Sequence, residues 1–393
     1  MKNIFEVIVV GAGPVGCYLS TLLGKANVNV ALIDQRKVVG EPVQCAGLIT
    51  PRVFSRFHIP MKGIVQQTIK GAHIIAPDNT TLSIGGTKTH AYSIDRRAFD
   101  QYLASQAQNY SVTLFNNQKV IQVKKESQKI SVKTNNNHTF SAPLIIGADG
   151  PHSIIQSTFN FPKPSEFLRG IGAELTNVEI EPDVVKLFIG NKIAPGFFAW
   201  VIPTNKTGTT ARIGLCVLSS KAIKTYFNRF FSKIEKTPSM QHAKITRYIG
   251  GTIPIGMLKQ IVMDQVMLVG DSAAQVKPTS GGGIYPGMCC ASFCADTIIQ
   301  AINKQSFSKN VLSSYSKKVK RDIGKELARG MFVRKAFTQL SDDDFNKYIN
   351  QMNQPKIIET INKYGDIDYP SRLFAPLLMK APSLLLAIKH YSQ

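Results

Sequence analysis

The alternation of apolar and polar residues divides this chain into stretches of different character. It opens on a continuous apolar run, Val7-Ile8-Val9-Val10, as a strand buried on both faces requires. The run ends in Gly11-Ala12-Gly13-Pro14-Val15-Gly16, and an uncharged helical stretch follows through Leu19, Leu22 and Leu23. A second apolar run, Val30-Ala31-Leu32-Ile33, stops at Asp34. The pattern predicts strand, glycine turn, helix, strand, acid.

Further on, 51–57 reads as a helical turn, and 68–75 with 81–85 as a hairpin around Pro77-Asp78-Asn79. The segment from Tyr92 to about Gln108 predicts a helix with Phe99, Leu103 and Ala107 on one face. Short strands are expected at 112–115, 120–124 and 130–133, and Leu144-Ile145-Ile146 runs into Gly147-Ala148-Asp149-Gly150. From about Arg169, glycines and alternating apolar residues predict a β-rich module: strands at 170–175, 184–189, 197–202 and 211–218, a helix over 222–234 and a strand at 245–249. Val266-Met267-Leu268-Val269 then ends in Gly270-Asp271, ahead of Ser280-Gly281-Gly282-Gly283-Ile284, and everything from about Ala291 reads as helix. There is no internal repeat and no low-complexity linker, so the expected architecture is interleaved. A strand at 266 returning to the first nucleotide fold would explain it. The fold class is α/β (α+β overall), a Rossmann-like domain interleaved with a β-rich domain, plus a helical C-terminal region. The expected division is 1–168 and 251–300 for the first domain, 169–250 for the second and 301–393 for the helical region, the hairpin near 68–90 being assignable to either of the first two.

Composition narrows the class. The 393 residues, 44% hydrophobic and 18% charged, suit a folded chain with a sizeable core. The charge-free stretch from Val7 to Gly24 touches the length of a membrane span, but its glycine-proline centre and the flanking Glu6 and Lys25 argue against one, and against a signal peptide. A cytoplasmic protein is expected, with peripheral membrane contact open. The net charge of +22 favours anionic partners. Its basic residues are scattered rather than interleaved with stacking aromatics, so no nucleic-acid partner is expected. The six cysteines (17, 45, 216, 289, 290, 294) have no CxxC and no metal spacing with histidine, which predicts no metal site and no disulfide scaffold.

Chemistry gathers at the glycine turns. Gly11, Gly13 and Gly16 permit a tight turn and close backbone approach, leaving helix N-terminal N–H groups for a pyrophosphate. Asp34 stands 18 residues past Gly16, placed to accept from a ribose. Asp149 and Asp271 each end an apolar run beside a glycine, and each alone reads equally as an ordinary strand-end turn. Cys45, in Glu41-Pro42-Val43-Gln44-Cys45-Ala46-Gly47, has no partner in sequence.

Taken in order, the glycine fingerprint, Arg96, Ala148-Asp149-Gly150 and Gly270-Asp271 resemble the p-hydroxybenzoate hydroxylase-like FAD superfamily. More narrowly the chain resembles the geranylgeranyl reductase family, in its archaeal digeranylgeranylglycerophospholipid reductase branch. The carriers are Gln44-Cys45-Ala46-Gly47, Arg96-x-x-Phe99-Asp100, Gly270-Asp271-Ser272-Ala273 with Pro278 and Gly281-Gly282-Gly283-Ile284, and 195–203, which is similar to the family's YxWxFP strand. In that strand Phe198 stands for the tyrosine and Ile202 for the phenylalanine, while Trp200 is kept. The resemblance implies FAD as cofactor, contacted by Val15, Asp34, Cys45, Ala46, Leu48, Arg96, Val120, Asp271, Gly283 and Ile284, beside the glycine turn and Asp149. It implies hydrogenation of isolated C=C bonds in prenyl chains by hydride from reduced FAD.

Phe198, Trp200 and Ile202 are the substrate-binding candidates, and Phe197 is suited to the same apolar wall; each also reads as plain core of a buried strand. Cys45 is the catalytic candidate, positioning the alkene or relaying a proton, against its default as a small buried hydrophobe. Pairing of Cys45 with Cys289 or Cys290 is a further expectation. No second GxGxxG precedes a helix, so the electron donor is open among ferredoxin, NADPH and another carrier. An aromatic monooxygenase, a redox-neutral isoprenoid cyclase and an electron-transfer flavoprotein stand as alternatives on the same scaffold. Lys317, Lys318, Lys320, Arg321, Lys325, Arg329, Arg334 and Lys335 offer either a surface for lipid headgroups or a diphosphate, or a solvated helix face. The apolar run at 373–386, broken by Pro376 and Pro382, is too short to span a bilayer and suits its interface or a tunnel mouth.

Overall fold

The computed structural model describes residues 3–218 and 223–380. The apolar runs form the centre of a six-stranded sheet. From edge to edge it runs Val262–Met263, Val266–Leu268, Leu144–Gly147, Val7–Val10, Val30–Ile33 and Thr113–Phe115. All neighbours pair in parallel except the first two. Every residue of Val7–Val10, Val30–Ile33 and Leu144–Gly147 is buried, because helices and the three-stranded sheet of Val120–Lys125, Ile130–Thr134 and Thr139–Ala142 both pack on this sheet and leave no face for polar side chains. Strand Val266–Leu268 pairs with Leu144–Gly147, far away in sequence. The helices Pro14–Lys25 and Ile284–Asn303 lie together on this sheet, with Val15 wedged where a side chain on Gly270 or Gly287 would otherwise sit.

Between those two strands the chain adds five strands to a seven-stranded sheet whose other two, Gly71–Ile75 and Thr81–Gly85, come earlier; its order is Lys244–Ile255, Glu166–Thr176, Thr210–Val217, Phe198–Pro203, Val184–Ile189, Gly71–Ile75 and Thr81–Gly85. One face carries Ala173, Ala199, Val201, Ile213 and Leu215, which pack on Phe227, Phe230 and Ile234 of helix Ile223–Ile234. The period-2 rule sends the alternate residues to the opposite face. The register there aligns Gly172, Gly214, Trp200 and Leu187 in one row. Glu174, Arg212 and Ile202 align in the next. Helices Asp342–Met352 and Pro355–Tyr364 cover the Gly71–Gly85 hairpin, with Phe345 and Ile349 buried against Ala76, Leu82 and Ile189.

Some elements differ from their sequence reading. The run at 68–75 is two strands: Val65–Ile69 joins a small sheet with Ala91–Ile94 and Leu48–Ile49, and Gly71–Ile75 crosses to pair in parallel with Val184–Ile189. The helix expected from Tyr92 starts at Arg96, because Asp95 is its N-cap and accepts from the Ala98 N–H at 3.0 Å. Tyr92 to Ile94 are strand. Thr139–Ala142 is an extra strand beside Ile130–Thr134, short and bounded by polar residues that hid its pattern. The helix expected from Ala291 starts at Ile284, where Pro286 is tolerated in the first turn. The expected helix start at Ala222 and positions 381–386 of the apolar run lie outside the described residues; Phe374–Lys380 is a short helix. Among the described residues no helix is long and apolar enough to cross a membrane.

Candidate active site

The site starts where the parallel strands end. Gly11 lies at φ +105°, and a Cβ there would stand 2.3 Å from the Ala148 carbonyl oxygen, so only glycine fits between the two strand ends. A Cβ on Gly16 would meet the Gly11 carbonyl oxygen at 2.0 Å. Gly13 caps helix Pro14–Lys25 with no side-chain cap, no acid in the first turn and open space above it. Free N–H groups and the helix dipole therefore point into an opening without a resident acceptor. Gly283 likewise caps helix Ile284–Asn303 without a side-chain cap or first-turn acid. The packing of Val15 against Gly270 and Gly287 holds these two bare helix starts side by side.

Carboxylates border the same space. Asp34 Oδ2 accepts from Ala12 N–H at 2.7 Å and Oδ1 from Arg36 N–H at 2.7 Å, which fixes it against the glycine turn. The Asp34 carbonyl accepts from Gln118 N–H, and this brings Val120 to the same end of the sheet. Asp149 uses Oδ2 to accept from Ile154 N–H at 2.8 Å, while its buried Oδ1 has no partner. Asp271 lies against Gly283: a Cβ there would meet its Oδ1 at 2.7 Å. Burial pushes the Asp271 pKa up to about 6, with the Arg96 charge pulling the other way.

Arg96 links this half to Cys45. Its guanidinium forms a two-pronged pair with Asp100, at 3.1 to 3.2 Å, and lies near enough to the Cys45 sulfur to feel its charge. Burial opposes its charge, but Asp100 and Cys45 together hold it more firmly protonated than a free arginine. Cys45 Sγ also accepts from Gly47 N–H at 3.4 Å. Above the cysteine lies the seven-stranded sheet, its face floored by glycines: a Cβ on Gly251 would meet the Gln44 carbonyl at 3.0 Å, and one on Gly214 the Trp200 ring at 2.5 Å.

Trp200 joins two apolar clusters. One holds Phe197, Phe198, Cys216 and Val276, the other Ala46, Leu48 and Ile202. Phe198 stacks on Phe197 at 4.2 Å and meets Trp200 edge-on at 6.2 Å. The buried Trp200 Nε1 has no acceptor. Ile202 is fully packed, and a Cβ on Gly281 would meet Phe197 at 3.4 Å. The candidates thus fall in two groups. The cofactor-binding candidates (Gly11, Gly13, Val15, Gly16, Asp34, Asp149, Asp271, Gly283, Ile284), here called the cofactor half, gather at the strand ends, and the substrate-binding candidates (Phe198, Trp200, Ile202), the substrate half, lie on the second sheet. Cys45, Ala46, Leu48 and Arg96 lie between them, and Val120 stands at the far end with Asp34.

Two residues of this site escaped the sequence reading. Arg212 is buried in the sheet and donates from Nε to Glu174 at 3.1 Å, from Nη1 to the Ile94 carbonyl at 2.8 Å and the Ala46 carbonyl at 3.3 Å, and from Nη2 to Gln66 at 2.8 Å. It pins the Cys45 loop to the sheet. Its only sequence signal is one charge inside the apolar strand Thr210–Val217. The second is Cys216: burial foremost, and then Cys45, push its thiol up to about 12, against Arg334. Cys289 and Cys290 are buried in helix Ile284–Asn303, and all the cysteines are free thiols. Arg334 is also no part of a basic surface, since it is buried in a two-pronged pair with Glu166, 2.8 Å on each side.

Bare helix starts, an unpaired buried carboxylate oxygen on Asp149 and a glycine cradle against Asp271 fit a dinucleotide that carries hydroxyls and phosphates. The pattern of the FAD binding domain family matches residues 5–329, and the chain belongs to that family. FAD is its cofactor. The chain is 31% identical to an uncharacterized protein of Methanocaldococcus jannaschii, over 96% of this chain and 95% of that one. It is 28% identical to digeranylgeranylglycerophospholipid reductase 3 of Methanosphaera stadtmanae, over 91% and 93%. Its fold is similar to that of a geranylgeranyl bacteriochlorophyll reductase-like protein from Thermoplasma acidophilum, with a TM-score of 0.86, 21% identity and 99% of each chain covered.

Proposed function

We propose that this protein is an FAD-dependent reductase that hydrogenates isolated C=C bonds of geranylgeranyl chains, carried on a membrane ether lipid or its diphosphate precursor. The observation that carries this reading is the glycine-floored apolar face around Trp200, lying over the Cys45–Arg96 pair and next to the Gly281–Gly283 turn. An unpolarised alkene offers no handle for hydrogen bonds, so it needs an apolar wall for orientation and a dry site. The names of relatives such as digeranylgeranylglycerophospholipid reductase 3 support the same substrate class.

FAD, when bound and reduced, supplies a hydride to one alkene carbon. The chain supplies the rest. Asp34, Asp271 and the two glycine-capped helix starts hold the cofactor, and Trp200 and Phe198 align the prenyl chain. Cys45 orients the second carbon or passes it the proton from Sγ, which solvent restores. Arg96 and Arg212 hold the cysteine and its loop. The balance is one hydride and one proton, two hydrogens per bond. Incubation of the dithionite-reduced protein with a geranylgeranyl lipid should add two hydrogens per reduced bond by mass spectrometry. Oxygen consumption with an aromatic substrate, or conversion without mass gain, would sink the reading. Cys45→Ala should keep FAD and lose about a hundredfold in rate, as removal of a proton donor does; an unchanged rate would assign Cys45 to packing.

The electron donor in this reading is ferredoxin, NADPH or another reduced carrier. Contact with an anionic membrane is supported by exposed Lys317, Lys320, Arg321, Lys325, Arg329 and Lys335 beside exposed Phe332. Charge reversal at Lys320, Arg321 and Lys325 should abolish sedimentation with anionic liposomes at unchanged FAD content; unchanged sedimentation removes this contact.

A further inference from the structure

The Gly281–Gly283 turn is tied to a segment beyond the family match. Lys277 closes the turn with its backbone, donating from N–H to the Gly282 carbonyl at 3.2 Å and accepting from Gly281 N–H at 2.9 Å. Its side chain folds across the same turn: a Cβ on Gly282 would meet Lys277 Cε at 2.9 Å and Nζ at 3.3 Å. The ammonium is nearly buried, and it donates to Asp368 Oδ1 at 2.8 Å and the Ile367 carbonyl at 3.1 Å. Asp368 is wholly buried, its Oδ2 accepting from Thr50 Oγ1 at 2.6 Å and Arg52 Nη1 at 3.0 Å. Arg52 in turn holds Asp366 through both nitrogens at 2.9 Å, and Ser371 is fixed by Glu326.

The Lys277 ammonium is therefore held just outside the Gly281–Gly283 turn that starts helix Ile284–Asn303, and the carboxylate paired with it comes from the C-terminal region. Two-electron reduction with uptake of one proton leaves a negative charge on the flavin's pyrimidine edge. A nearby fixed cation stabilises that charge in a water-poor site. We propose that Lys277 is a positioning residue that favours the reduced cofactor, and that Asp368 sets how much of its charge the ring feels. The inference rests on FAD meeting the turn at Gly282–Ile284, and does not depend on the prenyl substrate.

The test is the midpoint potential of the FAD-loaded full chain, titrated with dithionite against a reference dye. Lys277→Met should weaken reduced FAD relative to oxidised FAD about tenfold, a shift of about 30 mV to more negative potential. Asp368→Asn leaves the ammonium unbalanced and should shift the potential the opposite way. Lys277→Arg should stay near the parent. A clamp with only a structural role gives no such opposed pair. Shifts of the same sign, shifts no larger than that of the surface variant Lys318→Met, or FAD loss that excess cofactor does not restore would each overturn the inference. Gly283→Val, aimed at Asp271 Oδ1, separates this from the site itself: retention of FAD there overturns the placement of the cofactor, whereas FAD loss there with an unshifted Lys277→Met overturns only the role of Lys277.

Discussion

The two halves of the site are built in different ways. The cofactor half is made of strand ends: Asp34 is fixed by the Ala12 N–H of the glycine turn, Asp149 by the Ile154 N–H five residues on, and Asp271 lies against Gly283. The substrate half exists only through register, since Gly172, Gly214 and Trp200 share a row because strand Glu166–Thr176 pairs with the hairpin of Phe198–Pro203 and Thr210–Val217. A local motif tolerates change elsewhere but not within itself. A face assembled by register tolerates exchange of single side chains, provided that the pairing survives.

The largest test of this contrast is Gly11→Val. It meets the Ala148 carbonyl and forces a β-branched residue to φ +105°, so FAD binding should be lost together with at least about 3 kcal/mol of stability, read by urea unfolding and flavin absorbance. Retained FAD would show that the strand ends can separate. Next, Arg212→Met takes the donor from Gln66 and two carbonyls, Glu174 keeping Arg247, and about 3 kcal/mol should be lost with FAD still bound. Loss of FAD instead would mean that the halves are not separable.

Asp271 gives a pH signature confined to the cofactor half. Its folded pKa of about 6 lies above the ordinary 3.8, so below about pH 4 it is neutral in both the folded and unfolded chain. As pH rises toward 6 the unfolded chain ionises first, and the cofactor-free protein loses at most about 3 kcal/mol from this group. Asp271→Asn should remove that loss while weakening FAD about tenfold or more. A pH profile identical to the parent's would contradict the burial of Asp271. Smallest is Trp200→Phe, which removes an unpartnered donor and leaves the row aligned. Stability should change by about 1 kcal/mol, FAD should stay, and the Michaelis constant for a prenyl substrate should rise.

What could be read from the sequence follows the same line. Val7–Val10 and Val30–Ile33 announced a doubly covered sheet because burial on both faces removes every polar position. The glycine turns and their acids were legible because a turn, its cap and its charge are neighbours in sequence. Arg212 was not, because its partners Ile94 and Ala46 come from another part of the chain. Cys289 and Cys290 drew notice for following the flavin turn, whereas Cys216, whose thiol Cys45 helps to raise, comes from a strand with no such local mark. The cut at Lys70 between two sheets left no trace in apolar alternation, which continues smoothly through it. The basic residues over 317–335 read as a lipid-facing or solvated surface, but Arg334 turns inward to Glu166.

The parallel pairing of Val266–Leu268 with Leu144–Gly147 has a consequence for synthesis. The chain that leaves the ribosome first carries the glycine turn but only part of its sheet. It must hold that exposed strand edge open while five strands of the second sheet are made. Folding of the cofactor half should therefore lag behind translation by the length of that insertion, and the unpaired edge of Leu144–Gly147 is where the growing chain is most exposed to aggregation.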